Sequence, residues 1–591
     1  MNKLYAIRRA VRPWHIWASV VAVIVIVGAV LAGVLVSERN HEKAIEEDKD
    51  TPSDPTIARV NLGYAQYQGS LVGHDGGIAQ YLRMRYAAPP TGDHRWRAPV
   101  EPEVDDSGDQ AADSFGPICL GISMPYPNNN VQDEDCLYVN VWAPANATLE
   151  SELPVWLFIQ GGGYTINANA NWNGTTVVQR SGRNIVFVNF NYRVGLWGFL
   201  ASERVRADGA GDLNVGLRDQ IEVMRWVRRN IAQFGGDPDH VVIHGASAGA
   251  GSVALHLLMS YSNGTNNSND NGPLFVGGIG ESVFFPAQPT VADLEWQFDR
   301  LLSQIGCASS SSSDPMSCLR SKDTATLQGA NIPSPFPGRL GFPLFYWTPC
   351  IDGELLRDSP YALFERGEFV DVPVMMGTTT DEGTVFASNA QTPDDVENFM
   401  RDNYPNLTDT QSADILEQYP KMAELPAHGP YFPSAAAAYG ETTFICPATS
   451  ILNSYIQHWN TSRAWGYRYD VYDAQNAAQG LGVPHIWESW AVFGPDSLAG
   501  QGHGPRSYYD AKLAGGVVAP VMDYWISFIR TLDPSALRNT KAPTWEPWGE
   551  KESRMLMQAN NFTMEIVPPD QATRCEFWRG LAPAMQQRRK L

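Results

Sequence analysis

A single serine, Ser247, lies among small residues between a short apolar run and an apolar segment with helical spacing, in "VVIHGASAGAGSVALHLLM" (241–259). A G-x-S-x-G turn between a strand and a helix is the setting of a nucleophile elbow, which exposes the serine hydroxyl at the carboxyl edge of a sheet. Gly245 and Gly249 leave space where a Cβ would strike the neighbouring strand and helix. The pattern predicts a reactive serine; the simpler alternative is a glycine-rich connection without chemistry.

The rest of the chain alternates apolar, strand-like runs with helical segments. Segment 216–236 has apolar residues at helical spacing, and its Gly235–Gly236 pair predicts the end of a helix. This alternation is typical of an α/β fold with a large, mixed, mostly parallel sheet flanked by helices. No internal repeat divides the chain, and the polar stretches 260–272 and 308–317 are interpreted as surface insertions, so residues 56–591 are predicted to form one domain. The predicted buried strands are 153–160, 184–192, 240–246 and 371–379.

The first 55 residues differ in composition from the rest. A basic tail (1–13) precedes a 23-residue apolar run (14–36), and a charged stretch typical of a solvated stalk (37–55) follows. At ~1.5 Å per residue, a helix of this length spans the ~30 Å hydrocarbon layer of a bilayer, and its basic flank favours the cytoplasmic side. We therefore predict a transmembrane signal anchor in a single-pass type II protein, with residues 37–591 extracellular or lumenal. Cleavage after Ala32 or Gly33, giving a secreted protein, is the alternative.

Sequons and cysteines both fit an extracytoplasmic location. The odd number of cysteines, seven, predicts three disulfides and one spare thiol, but their spacing does not assign the pairs. No C-x-x-C pair is present, which argues against a structural zinc site. A formal net charge of −21 argues against nucleic-acid binding. Candidate glycosylation sites, all beyond the apolar run, are Asn146, Asn173, Asn263, Asn266, Asn406, Asn460 and Asn561.

A serine hydroxyl needs a base to become nucleophilic, and in chains with such an elbow the base follows the serine. His485 is the best candidate, because it follows a strand-like run (464–472) after a loop and has aromatic neighbours in sequence. A core histidine bonded to the backbone is the alternative reading. His256 lies on the elbow's own helix, where it cannot turn back to the hydroxyl. The remaining histidines beyond Ser247, which lack a strand to place them or lie beside a sequon, are His428, His458 and His503.

The orienting acid and the anion site have candidates at other predicted strand ends. Asp381 and Glu382 come just after the strand 371–379, where a triad carboxylate belongs, although a turn with solvated carboxylates would look the same. The stretch "FIQGGGY" (158–164) directly follows another predicted strand. Its glycines offer backbone N–H groups without side-chain obstruction, as an oxyanion hole requires.

From about residue 60 to residue 580, the chain resembles the type-B carboxylesterase/lipase family, which includes the cholinesterases. The resemblance implies an α/β-hydrolase fold and ester hydrolysis by a Ser-His-Glu triad through an acyl-enzyme, with no metal or cofactor. The most specific segments that carry it are "EDCLYVNVWAP" (134–144) and "RRNIAQFGGDPDHVVIHGASAG" (228–249). Others are "RYAAPPTGDHRWRAP" (85–99), "NYRVGLWGFL" (191–200), "GTTTDEGTVF" (377–386) and "CEFW" (575–578).

The resemblance also implies a role for individual residues. It implies Ser247 as nucleophile, His485 as general base and acid, and Glu382 rather than Asp381 as the orienting carboxylate. Ser282 aligns with a family serine that supports this carboxylate. The implied oxyanion donors are the N–H groups of Gly162, Gly163 and Ala248. The implied disulfides are Cys119–Cys136, Cys307–Cys318 and Cys446–Cys575, which leaves Cys350 free.

Two departures from the family pattern limit the range of substrates that we expect. Ala246 stands where the family elbow has glutamate, which removes a negative charge beside the nucleophile. The loop between Cys119 and Cys136 has 16 residues and no tryptophan. In the cholinesterases an aromatic residue of this loop holds choline by a cation–π contact, and in the lipases of the family the loop is longer and forms a lid. We therefore predict hydrolysis of uncharged, moderately sized esters. The alternatives are a non-catalytic adhesion or scaffold ectodomain and a lactonase or lipase variant.

Overall fold

The computed structural model describes residues 57–588, apart from 74, 128–130, 168–171, 267–272, 309–313, 460–461 and 499–503. Thirteen strands form one mixed sheet, and β5 and β6 form a separate pair. The strands are β1 (Ile57–Asn61), β2 (Gln66–Val72), β3 (Ile78–Arg85), β4 (Asp109–Ala111), β5 (Ile118–Cys119), β6 (Gln132–Asp133), β7 (Tyr138–Pro144), β8 (Leu153–Ile159), β9 (Val186–Phe190), β10 (Gly236–Ala246), β11 (Gly277–Glu281), β12 (Val374–Thr379), β13 (Ala464–Tyr469), β14 (Ser553–Gln558) and β15 (Asn561–Ile566).

The sheet is parallel in its centre and mainly antiparallel at both sides, where only the short β4 pairs in parallel, with β2, among the described strands. Its order is β1-β2-β3-β7-β9-β8-β10-β11-β12-β13-β14-β15, with β4 beside β2. The run from β9 to β14 is parallel throughout. The carboxyl ends of β8, β10, β11, β12 and β13 therefore lie along one edge, where ligands bind in open α/β sheets.

Both faces of the sheet are buried. In β8, Val155, Leu157 and Ile159 belong to one core cluster, and Trp156 and Phe158 belong to the other. Successive side chains of a strand point to opposite faces, so the central strands read as unbroken apolar runs. The four buried strands predicted from the sequence are confirmed as β8, β9, β10 and β12.

Helices cover the two faces of the sheet. The α-helices are Thr175–Arg180, Gly195–Phe199, Glu203–Arg206, Val215–Asn230, Ala248–Asn266, Val291–Gln304, Pro315–Arg320, Thr324–Ala330, Pro360–Glu365, Pro393–Asn403, Asp409–Gln418, Phe432–Gly440, Cys446–Trp459, Ala474–Ala478, Ser489–Phe493, Gly515–Thr531 and Pro569–Leu581. Short 3₁₀ turns occupy Gly92–His94, Ala207–Gly209, Ile231–Phe234, Glu382–Val385 and Arg506–Tyr509, and a π-helical turn occupies Glu441–Ile445.

The helix predicted within 216–236 is present as Val215–Asn230. It ends through the turn Ile231–Phe234 at Gly235, whose φ of +78° is a left-handed conformation that glycine adopts without strain. The elbow helix, Ala248–Asn266, continues into the polar stretch 260–272. Once a helix is nucleated, each added residue gains a hydrogen bond, so polar residues can extend it.

The structure forms three disulfides, and they join the same cysteine pairs that the resemblance implies. These are Cys119–Cys136, Cys307–Cys318 and Cys446–Cys575. In the chain-entropy account, closing the first loop contributes ~3 kcal/mol to stability. Cys350 is free and buried, and burial raises the pKa of its thiol.

The predicted tail (1–13), anchor (14–36) and stalk (37–55) lie outside the described residues. Among the helices that are described, none has the length and apolarity needed to cross a bilayer. Of the candidate glycosylation sites, Asn146, Asn406 and Asn561 are exposed, and Asn173 is half-buried. The side chains of Asn263, Asn266 and Asn460 are outside the described part of the chain.

Candidate active site

Ser247 occupies a strained turn at the carboxyl end of β10. Its φ is +59°, a left-handed conformation that costs an L-residue roughly 1–2 kcal/mol. The turn needs its glycines: a Cβ on Gly245 would lie 2.2 Å from the backbone of Gly249, and a Cβ on Gly249 would lie 2.0 Å from the carbonyl oxygen of Ile159. The strand, turn and helix of an elbow are therefore all present around Ser247.

Glu382 and His485 meet at the ends of two neighbouring strands. Glu382 follows β12, His485 follows β13, and the Oε2 and Nδ1 atoms are 2.5 Å apart. The other carboxylate oxygen, Oε1, accepts the backbone N–H of Thr379 at 2.8 Å. Because a carboxylate only accepts, the ring hydrogen lies on Nδ1 and leaves Nε2 as an acceptor. This is the tautomer that a general base requires.

Asp381 bonds to the backbone just before His485 instead of to the imidazole. Its Oδ2 accepts the N–H of Val483 at 2.8 Å, and its own N–H donates to the carbonyl oxygen of Val483 at 3.0 Å. Burial raises the pKa of the Asp381 carboxyl. The two adjacent carboxylates thus have separate positions, and Glu382 is the one beside the imidazole.

The imidazole of His485 is enclosed by aromatic rings. The ring centroids of Phe386 and Phe444 are 4.9 Å and 4.3 Å away. Its Nε2 is buried and makes no hydrogen bond with any described residue, so the bond to the Ser247 hydroxyl that a general base needs is not formed in this structure. Such bonds are often long in unliganded sites and tighten when substrate binds.

A glycine turn follows β8 and lies against the elbow. A Cβ on Gly161 would be 3.0 Å from the Cβ of Ser247. Gly162 and Gly163 have φ values of +106° and +63°, and their N–H groups donate to no acceptor among the described residues. Ala248 is the first residue of the elbow helix, where an N–H has no partner within the helix. The turn therefore presents free donors beside the serine, as an oxyanion hole needs.

Replacing Gly162 by alanine is expected to lower kcat about 10²–10³-fold, the usual cost of losing an oxyanion donor. The added Cβ would lie 2.0 Å from the carbonyl oxygen of Ile166, a backbone atom that cannot move without displacing the turn. Gly108→Ala is the matched control, because its φ of +110° imposes similar strain while no atom lies within 4 Å of the added Cβ. Steady-state kinetics of both variants test this. Equal losses in the two would show that backbone strain alone is responsible.

Ser282 is not placed as the resemblance implies. Its hydroxyl is buried and makes no hydrogen bond within the described part of the chain. The Glu382 carboxylate is already engaged by Thr379 and His485. The expected support of this carboxylate by Ser282 is therefore absent here, and Thr379 supplies it through its backbone.

The other histidines beyond the serine have different partners. His256 lies on the elbow helix with Nε2 2.8 Å from Oε1 of Gln220, and burial lowers its pKa to about 3. His428 and His458 contact backbone carbonyl oxygens, and His503 is not among the described residues. Of the histidines after Ser247 that the structure describes, only His485 meets a carboxylate.

A model of the carboxylesterase family matches residues 56–578. The chain belongs to this family. Lipase 2 of Diutina rugosa is 29% identical over 526 residues, covering 82% of this chain and 88% of the relative. Lipase 1 of Geotrichum candidum is 29% identical over 550 residues, covering 83% and 92%. The crystal structure of Aspergillus niger EstA has a TM-score of 0.84 and 45% identity, covering 90% of this chain and 99% of EstA.

Family membership and these relatives make this carboxylesterase a carboxylic ester hydrolase. The α/β-hydrolase fold that the resemblance implies is confirmed, with its large mixed sheet between helices. The comparisons do not support the alternative of a non-catalytic ectodomain.

Sequence reasoning missed a buried carboxyl close to the site. Glu488 is fully buried three residues after His485, and its Oε1 accepts the hydroxyl of Tyr467 at 2.9 Å. Burial, followed by the nearby charges of Glu281 and Glu382, raises the pKa of Glu488 well above its usual value. Only its position shortly after the histidine could have drawn attention to it.

This raised pKa predicts a pH-dependent stability. The unfolded chain loses the Glu488 proton near pH ~4.3, whereas the folded chain loses it at a higher pH, so this group lowers stability as pH rises above ~4.3. The loss is at most ~1.4 kcal/mol per pH unit. We expect Glu488→Gln to raise the melting temperature relative to the wild type by an amount that grows as the pH rises above about 5. The exposed Glu550→Gln is the control, and parallel profiles for wild type and Glu488→Gln would contradict the assignment.

Proposed function

We propose that this carboxylesterase hydrolyses uncharged esters of moderate size through an acyl-enzyme on Ser247. The observation that carries the proposal is the hydrogen bond between His485 and Glu382. It lies at the same carboxyl edge of the sheet as the strained Ser247 and the glycine turn with its free N–H groups. A hydroxyl, an imidazole and a buried carboxylate along one edge are the parts that acyl transfer requires.

In the first step, His485 Nε2 takes the Ser247 proton while the serine oxygen forms a bond to the ester carbonyl carbon. The N–H groups of Gly162, Gly163 and Ala248 hold the negative charge that develops on the carbonyl oxygen. The imidazolium then gives its proton to the alkoxide as the carbon–oxygen bond breaks, and the alcohol leaves.

In the second step, water attacks the acyl-enzyme. His485 takes a proton from this water and returns one to the Ser247 oxygen, which releases the carboxylic acid. Glu382 keeps the proton on Nδ1 and stabilises the imidazolium in both steps. All proton transfers use protein groups, so we expect EDTA to leave the rate unchanged.

The preference for uncharged esters rests on the residue before the nucleophile. Ala246 is fully buried and carries no charge, so the elbow offers no carboxylate to attract a cationic substrate. Butyrylcholine and 3,3-dimethylbutyl butyrate form a matched test pair, because they have nearly the same shape and differ in charge. We expect kcat/KM for the neutral ester to equal or exceed that for the choline ester. A choline ester preferred by more than about tenfold, or 1.4 kcal/mol, would contradict the proposal.

A lipase-like activity is a second candidate, because Diutina rugosa and Geotrichum candidum lipases are among the relatives. Soluble and emulsified triacylglycerols distinguish the two. We expect no increase in rate when a short-chain triacylglycerol passes its solubility limit, since the Cys119–Cys136 loop is short. A sharp increase at that limit would favour the lipase.

We further propose that residues 14–36 anchor the catalytic domain (56–591) to a membrane, with the stalk (37–55) and that domain on the extracytoplasmic side. Secretion after cleavage at Ala32 or Gly33 is the alternative. Amino-terminal sequencing of the mature protein tests this: a start before residue 14 supports the anchor, and a start at 33 or 34 supports secretion.

A further inference from the structure

Glu281 is a fully buried carboxylate at the end of β11 that the proposed reaction does not use. Its Oε1 is 2.9 Å from Nε2 of His244, and its Oε2 accepts the hydroxyl of Ser489 at 2.7 Å. Both carboxylate oxygens are thus engaged. Burying a carboxylate is costly unless its hydrogen bonds are made, so these two contacts offset part of the cost of burying Glu281.

His244 is oriented by its second nitrogen. Its Nδ1 is 2.9 Å from Nε1 of Trp156. An indole N–H only donates, so Nδ1 accepts and the ring hydrogen lies on Nε2, directed at Glu281. Three hydrogen bonds therefore connect four side chains, with Trp156 donating to His244 and both His244 and Ser489 donating to Glu281. All four side chains are fully or almost fully buried.

Glu281 contacts both the turn that holds Ser247 and the helix that follows His485. Its carbonyl oxygen accepts the N–H of Ser247 at 2.8 Å. Its side chain holds Ser489, which begins the helix Ser489–Phe493 four residues after His485. Between them, Ile486 has a φ of +54°, an unusual left-handed conformation for a β-branched residue. Such a strained segment keeps its shape only where surrounding contacts hold it.

We propose that Glu281 is a positioning residue that sets the place of His485 relative to Ser247 through its bond to Ser489. The inference rests on the proposed roles of Ser247 and His485. A displacement of about 1 Å between reacting groups can cost 10²-fold in rate. Loss of the bond should lower kcat and leave KM almost unchanged, because the bond positions the base and does not touch substrate.

Ser489→Ala removes the bond with the smallest change in volume. We expect a 10- to 100-fold lower kcat with KM within threefold of the wild type. Glu281→Met has a similar length and volume but makes neither bond, because its thioether cannot replace the carboxylate oxygens that face His244 and Ser489; we expect a similar or larger loss. The double variant should be no worse than the poorer single variant, because both changes break one connection. Ser527→Ala, at a fully buried serine with a 2.6 Å hydroxyl bond to Asp533, is the control and should keep wild-type kinetics.

Melting temperatures separate positioning from general destabilisation. A kcat within twofold of the wild type in Ser489→Ala, or a loss that appears only in KM, would overturn the proposal, as would fully additive losses in the double variant. If Ser489→Ala does not fold, Glu281→Met decides by the same criteria. Ser247→Ala, measured alongside, tests the proposed function separately: full activity there refutes the triad, whereas an inactive Ser247→Ala beside a fully active Ser489→Ala refutes only the role of Glu281.

Discussion

Ser247→Ala is expected to lower kcat for ester hydrolysis by about 10⁶-fold, the loss seen when the serine of a comparable triad is removed. No acyl-enzyme can form without the hydroxyl, so only the oxyanion donors and substrate binding remain. The fold should persist, because the elbow is held by the backbone bond from Ser247 N–H to the carbonyl oxygen of Glu281, which alanine retains.

Ser252→Ala is the matched control for this variant. Ser252 lies on the first turns of the elbow helix and is fully buried, and its hydroxyl bonds to Gln220 and to the carbonyl oxygen of Ala248. Its activity should stay within a few-fold of the wild type. Initial rates on p-nitrophenyl butyrate, with melting temperatures, provide the comparison. A purified Ser247→Ala enzyme that retains more than one hundredth of the wild-type rate would refute the assignment.

Glu382→Gln is expected to lower kcat by about 10⁴-fold, the loss found when a triad carboxylate becomes an amide. The amide oxygen can still accept the N–H of Thr379. Its NH₂ group then faces Nδ1 of His485, which must become the acceptor and move the ring hydrogen to Nε2. The imidazole would present a hydrogen to the serine instead of an acceptor, so it could not take the proton.

A variant of the neighbouring carboxylate, Asp381, distinguishes this mechanism from the effect of losing a negative charge. Asp381→Asn removes a partly buried carboxyl one residue away but can still accept the N–H of Val483. We expect its kcat to fall less than tenfold. If Asp381→Asn were as damaging as Glu382→Gln, the carboxylates would share the role, contrary to the geometry at His485.

Much of the fold could be predicted because apolar runs and glycines have direct physical meanings. The strands β8, β9, β10 and β12 are buried on both faces and therefore read as unbroken apolar segments. The glycines of the elbow were predictable because an added Cβ has no room there. The pairing of Glu382 with His485, 103 residues apart, came from the family resemblance, since spacing alone left Asp381 equally eligible.

Contacts between distant polar residues could not be predicted in the same way. His244 and Glu281 lie within apolar strands, where a sequence pattern gives no sign of which polar groups will pair. Ser282 shows a different difficulty, because it matches a family position but its hydroxyl makes no hydrogen bond with any residue that the structure describes.

Covalent labelling with an organophosphonate tests the central claim most directly. The reagent phosphonylates a serine only where a base removes its proton and N–H donors stabilise the phosphoryl oxygen. Peptide mapping of the labelled enzyme should find one adduct per chain, on Ser247, with no adduct in Ser247→Ala and a rate at least ~10³-fold slower in Glu382→Gln. An adduct on another residue, or equal labelling of the wild type and Ser247→Ala, would contradict the account.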